Sequence, residues 1–154
     1  ASGDCMHPLT TYPLEAYMSV ALHHLLEWVD KGISPPRADR VLIDRNTDND
    51  GSLMVLDEHG NPAGGIRNPY VDVPVTKYTA QNAVTATAKP GSEILCRLSV
   101  WETPFSTAKL KDLYGSKESY VRLVEQNLDK QEAMGWSLPV FHDLIMGDAR
   151  AVNF

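Results

Sequence analysis

Long apolar runs are absent from this sequence of 154 residues. No stretch approaches the roughly 18 consecutive apolar residues of a membrane-spanning helix, so no membrane span is predicted. A basic segment is also missing, because the 14 Lys and Arg residues are scattered and the net charge is −6. Nucleic-acid binding, which needs a basic surface, is therefore not expected. With 43% hydrophobic and 22% charged residues, the composition still indicates one globular domain with a substantial core.

Nucleophile motifs are missing as well. A serine hydrolase usually presents its nucleophile on a G-x-S-x-G turn, and no such motif occurs here. Cys5 and His7 could form a thiol–imidazole pair, but residues two apart in a polar, irregular segment rarely hold that geometry. A disulfide or a buried thiol is the competing interpretation of Cys5 and of Cys96, the second cysteine. The sequence therefore predicts no catalytic residue within this chain.

Two groups of residues are candidates for metal binding. His23 and His24 are adjacent on a predicted helix, so their side chains diverge by about 100° and are poorly placed to share an ion. An acidic segment has the spacing of calcium-loop positions one, three, five, six and twelve. Its residues are Asn46, Asp48, Asp50, Gly51 and Asp57. Its flanks resemble strands, and a hairpin turn uses the same residue types, so calcium stays open and no cofactor is predicted.

A third candidate is a polar cluster of Arg67, Tyr70 and Asp72 beside the glycine pair at 64–65. Two interpretations are open. The arginine could hold loop carbonyl groups in place, which is the commoner use of such a cluster, or it could bind a substrate group.

The first clear element is a helix over residues 13–31. Pro13 suits its first position, and apolar residues recur at spacings of three and four along it. Gly32 is the expected stop, and Pro35-Pro36 prevents the helix from resuming.

A β and loop region is predicted over 41–101. Val41-Leu42-Ile43 and Leu53-Met54-Val55-Leu56 are short strand candidates. Two prolines interrupt 64–75, which indicates an edge strand or an ordered loop, and 79–92 is expected to be a surface loop.

A helical region is predicted over 106–150. One helix spans 107–114 and ends at Gly115; a longer one is capped by Ser116 and ends at Gly135. A final helix begins at 137–139, with apolar residues Val140, Phe141, Leu144 and Ile145. This order contains no series of βαβ units, so the chain is predicted to be α+β on its own, without a parallel sheet.

Three stretches of the chain match motif blocks that occur in the same order in one known family. Residues 56–74 contain the pattern D-x-x-G-N-x-x-G-G-I-R-x-P-x-V-D-x-P. Residues 26–36 contain a Trp-Val pair, a glycine and a Pro-Pro pair, and residues 103–121 contain T-P-F, L-Y-G-S and Y-V. Together they resemble the α/β-hydrolase domain-containing family of mostly secreted bacterial proteins.

The resemblance implies that residues 1–154 are the C-terminal portion of an α/β-hydrolase-like assembly, supplying helices and a small β region. The nucleophile and histidine would lie upstream or on a second polypeptide. The positions of the family's cysteines imply a Cys5–Cys96 disulfide, and with it secretion to an oxidising, extracellular environment.

Two functions follow from this resemblance. The first is an esterase-type hydrolase whose C-terminal subunit or fragment is this chain. The alternative is a noncatalytic structural or binding subunit that retains the hydrolase scaffold. In either case, Met18, Leu22, Leu25 and Val29 of the first helix are expected to contact a sheet from outside this chain.

Overall fold

The computed structural model describes residues 3–44 and 54–154. Its helices are α1 (Leu14–Lys31), α2 (Pro69–Asp72), α3 (Ser92–Arg97), α4 (Thr107–Tyr114), α5 (Lys117–Ala133) and α6 (His142–Ala151). A 3₁₀ turn (Pro139–Phe141) precedes α6, and two strands, β1 (Thr76–Thr79) and β2 (Trp101–Pro104), form an antiparallel sheet. The described residues are thus α+β, as predicted. In this part of the chain, no helix is both long enough and apolar enough to cross a membrane.

Helix α1 confirms the strongest local prediction. Pro13 lies one residue before the helix, at its cap. Gly32 ends it in the left-handed conformation, φ 70°, and donates its backbone N–H to Trp28. This positive φ is the conformation in which glycine has no Cβ penalty.

Most of the apolar side chains of α1 are uncovered. Only Ala16 and Val20 of the helix are buried. The exposed large residues are Leu14, Met18, Leu22, Leu25, Leu26, Trp28 and Val29, each more than half exposed. The remaining described residues therefore do not cover the apolar stripe of α1.

The core lies between α5 and α6. Tyr120, Val124 and Leu128 are buried on one face of α5, and Ser116 caps the helix by accepting the backbone N–H of Ser119. They pack against Ile145, Met146 and Ala149 of α6, with Val73 at the edge.

The last helix begins later than predicted. It was predicted from 137–139, but α6 begins at His142, and Val140 and Phe141 lie in the 3₁₀ turn before it. Ile145 is buried, whereas Val140 is 77% exposed and Leu144 is 44% exposed. Leu144 directly precedes Ile145 on α6, so their side chains diverge by about 100° and do not share one buried face.

Among the described residues, the strand predictions at 41–43 and 54–56 hold only as isolated contacts, and Leu53 of the second prediction lies outside the described residues. Val41 bridges Gly64, Ile43 bridges Met54, and Leu56 bridges Pro62. Gly64 has a φ of 76°, and a Cβ there would collide with the carbonyl oxygen of Arg40. A side chain at this position would thus break the contact between the two segments.

Residues 64–75 were predicted to be extended, and this is wrong at 69–72. Helix α2 forms there because Asn68 accepts the backbone N–H of Tyr70 and Pro69 occupies the first helical position. Helix α3 also lies in a region predicted to lack helices. It carries Cys96, which forms a disulfide with Cys5, the two Cα atoms being 5.5 Å apart. This pairing is the one that the resemblance implied.

Candidate functional site

The Cys5–His7 pair is not a catalytic dyad. The thiol of Cys5 is consumed by the disulfide, and no cysteine of the chain is free. His7 instead stacks on Trp101, with ring centroids 3.7 Å apart.

The histidine pair on α1 has a structural explanation. The Nε2 atom of His24 lies 2.6 Å from the carbonyl oxygen of Gly135, which ties α1 to the turn after α5. His23 is exposed. Among the residues that the structure describes, no group of three or more His, Cys, Asp or Glu side chains is placed to hold a metal ion.

The calcium-loop candidate falls mostly on 46–51, outside the described residues, so its test rests on Asp57 alone. Both carboxylate oxygens of Asp57 already have partners. Oδ1 accepts the backbone N–H groups of His59 and Asn61, each at 2.9 Å, and Oδ2 accepts Arg67 at 2.7 Å. Asp57 therefore closes a turn and holds an arginine.

Arg67 is the centre of a structural network. Its guanidinium also donates to Asp72 at 2.9 Å and to the carbonyl oxygens of Pro62 and Val71 at 2.7 and 3.0 Å. These bonds join the turn at 57–62 to helix α2. Asp72 accepts a further hydrogen bond from Asn127, which links the network to α5. The interpretation of Arg67 as a tie between loop carbonyls is confirmed.

The ionisation of Asp57 gives a testable pH dependence. Burial opposes its charge, but the hydrogen bonds from Arg67 and the two backbone N–H groups outweigh burial and hold its pKa below the ordinary value. A depressed folded-state pKa stabilises the fold above the unfolded pKa of about 3.9, and this contribution is lost as pH falls through the lower folded pKa.

We therefore expect Asp57→Asn to lower the free energy of unfolding at neutral pH by about 1–3 kcal/mol. The difference from the parent chain should shrink as the pH falls below about 4. Urea denaturation at a series of pH values measures it, with Asp129→Asn on the exposed face of α5 as the control. A difference that stays constant into the acid range would contradict this assignment.

Tyr70 does not join the arginine network. Its hydroxyl donates instead to Asp148 of α6 at 2.6 Å. There it lines a pocket of about 340 Å³, which is the candidate site.

The pocket is assembled from segments that are distant in the sequence. Tyr12 comes from the segment before α1, Tyr78 from β1, Glu102 from β2, Tyr120 from α5 and Asp148 from α6. Its floor includes apolar core residues: Val73, Val124, Ile145 and Ala149. An apolar pocket with a few convergent polar groups is the usual form of a small-molecule site.

The tyrosines form a contiguous aromatic group. The Tyr12 ring lies 5.3 Å from both Tyr17 and Tyr70, and 5.7 Å from Tyr78, in stacked and edge-on arrangements. Burial raises the pKa of Tyr12 and of Tyr120 to about 12; a hydrogen bond from Asn68 partly offsets it at Tyr12, and the negative charge of Asp148 adds to it at Tyr120. The rings are therefore neutral hydroxyl-bearing surfaces at neutral pH.

Two polar groups of the pocket differ in how far they are satisfied. Glu102 accepts hydrogen bonds from the hydroxyls of Thr10 and Thr11, at 3.3 and 3.0 Å, which fix its position. Thr76 is 5% exposed, and its hydroxyl oxygen has no hydrogen-bond partner. A buried hydroxyl without a partner costs free energy, and this oxygen is closed off from the cavity, because almost none of its surface is exposed.

Of these pocket residues, the sequence interpretation named only Tyr70 as a candidate site residue, and for a different cluster. The available signal was compositional: the chain has six tyrosines but three phenylalanines. Such a bias indicates hydroxyl-bearing aromatic surface, but it does not say which tyrosines meet.

A sequence profile of the alpha/beta hydrolase domain family matches residues 1–146. No curated protein and no solved structure matches the chain.

Proposed function

Because the chain belongs to the alpha/beta hydrolase domain family, we propose that it is the C-terminal part of a secreted hydrolase of esterase type. In this proposal the nucleophile lies on a segment or polypeptide outside these residues. The observation that carries the proposal is the uncovered apolar face of α1. An α/β-hydrolase packs helices on both faces of a central sheet, and the face of α1 fits that role.

The size of the uncovered face supports an extensive contact. Met18, Leu22, Leu25 and Val29 are each more than half exposed. Each large apolar side chain that becomes fully buried contributes roughly 1.5–3 kcal/mol to the free energy of the contact, so burial of these four would stabilise it strongly. An apolar patch of this extent marks an interaction surface more often than a solvated one.

Two further observations are consistent with the proposal. The sequence has no G-x-S-x-G motif, as expected if a serine nucleophile lies outside these residues. The disulfide between Cys5 and Cys96 fits an oxidising environment, and hence secretion.

Labelling with a fluorophosphonate probe tests the proposal, because such probes react with the activated serine of a hydrolase. We expect the intact natural protein to be labelled on a serine outside the 154 residues, as read by mass spectrometry of its peptides. Leu22→Glu, on the exposed face of α1, should strongly reduce this labelling. Asp30→Asn, an exposed polar position on the same helix, should leave it unchanged.

The opposite results are equally informative. A labelled serine within this chain would show that it carries its own nucleophile, contrary to the proposal. Absence of labelling in an intact, folded protein would favour the noncatalytic alternative.

A further inference from the structure

The charges that line the tyrosine pocket have one sign. Glu102 and Asp148 are its only charged side chains, and among the described residues no lysine, arginine or histidine lines it. The two carboxylates come from different elements, β2 and α6. The fold therefore brings together in one cavity two residues that are distant in the sequence. A cavity with acidic groups and no internal cation favours a positively charged occupant.

The aromatic walls favour the same kind of occupant. Tyr12, Tyr70, Tyr78 and Tyr120 all line the pocket. The face of an aromatic ring carries negative charge density, and several rings around one cavity form the kind of site that attracts an ammonium group. The neutral state of the rings preserves this property, and burial of the Tyr120 ring raises its pKa to about 12.

A third feature restricts the ligand further. The volume of about 340 Å³ is close to the lower end of small-molecule sites. The occupant is therefore a small molecule rather than a polymer.

We propose that this pocket binds a small organic cation, an alkylated ammonium compound, between Glu102, Asp148 and the tyrosine rings. The carboxylates neutralise the charge, and the rings surround the alkyl groups of the ammonium. This site does not depend on the hydrolase reaction, because binding needs no nucleophile.

The test compares two ligands of equal shape and different charge, choline and 3,3-dimethylbutan-1-ol. Isothermal titration calorimetry on the full chain should show choline binding at least about tenfold more tightly than the neutral alcohol. Glu102→Gln and Asp148→Asn should each weaken choline by about tenfold or more and leave the alcohol nearly unchanged. Asp143→Asn, on the same helix as Asp148 but outside the pocket, is the control.

Circular dichroism establishes that each variant is folded. Glu102 and Asp148 lie on separate elements, so one variant remains informative if the other fails to fold. Equal affinity for choline and the alcohol, or no binding of choline to the folded chain, would overturn the proposal. These outcomes are independent of fluorophosphonate labelling, since one experiment measures binding and the other a reactive serine.

Discussion

The Cys5→Ser/Cys96→Ser double variant should lose about 4–5 kcal/mol of unfolding free energy, because the disulfide joins cysteines 91 positions apart and restricts the unfolded chain accordingly. Both cysteines are buried, at 6% and 0% exposure, so their replacement also places hydroxyls in a region with little water. Such a loss is a large part of the stability of a typical domain.

Urea denaturation of the oxidised parent and of the double variant measures this loss. A reductant should destabilise the parent chain and leave the double variant unchanged, which separates the effect of the bond from that of the serine side chains. A loss below about 1 kcal/mol would contradict the assignment of the disulfide as a main stabilising link.

Leu128→Ala should lower the free energy of unfolding by about 2–5 kcal/mol. Leu128 is 0% exposed and lies in the core where α5 packs on α6, near Ile145 and Met146. Removing three side-chain carbons there leaves a cavity that two packed helices cannot fully close.

The matched control is Leu98→Ala, since Leu98 is 80% exposed. It should change the unfolding free energy by less than about 0.5 kcal/mol. Equal losses at the two positions would show that α5 and α6 do not form the main core.

Local signals in the sequence determined several helices of this protein. Gly32 ends α1 and Ser116 caps α5, as predicted, because these residues act on the backbone groups of the helix ends next to them. The resemblance identified the family and the cysteine pair, which the profile match and the 5.5 Å separation of the Cα atoms support.

Tertiary structure alone decided the elements that depend on distant residues. The pairing of β1 with β2 joins Thr76 to Pro104, and neither segment carries a strong strand pattern by itself. Pairing of this kind is stabilised by cross-strand contacts that a single segment cannot reveal.

Contacts between distant residues also explain why the sequence did not predict the candidate site. Arg67, Tyr70 and Asp72 are neighbours in sequence, yet Arg67 bonds Asp72 while Tyr70 bonds Asp148, 78 residues away. The packing of α6 supplies the partner of Tyr70. The sequence determined which residues could make polar contacts. The packing of distant elements determined which of these residues share the pocket, because a cavity forms only between elements that pack against each other.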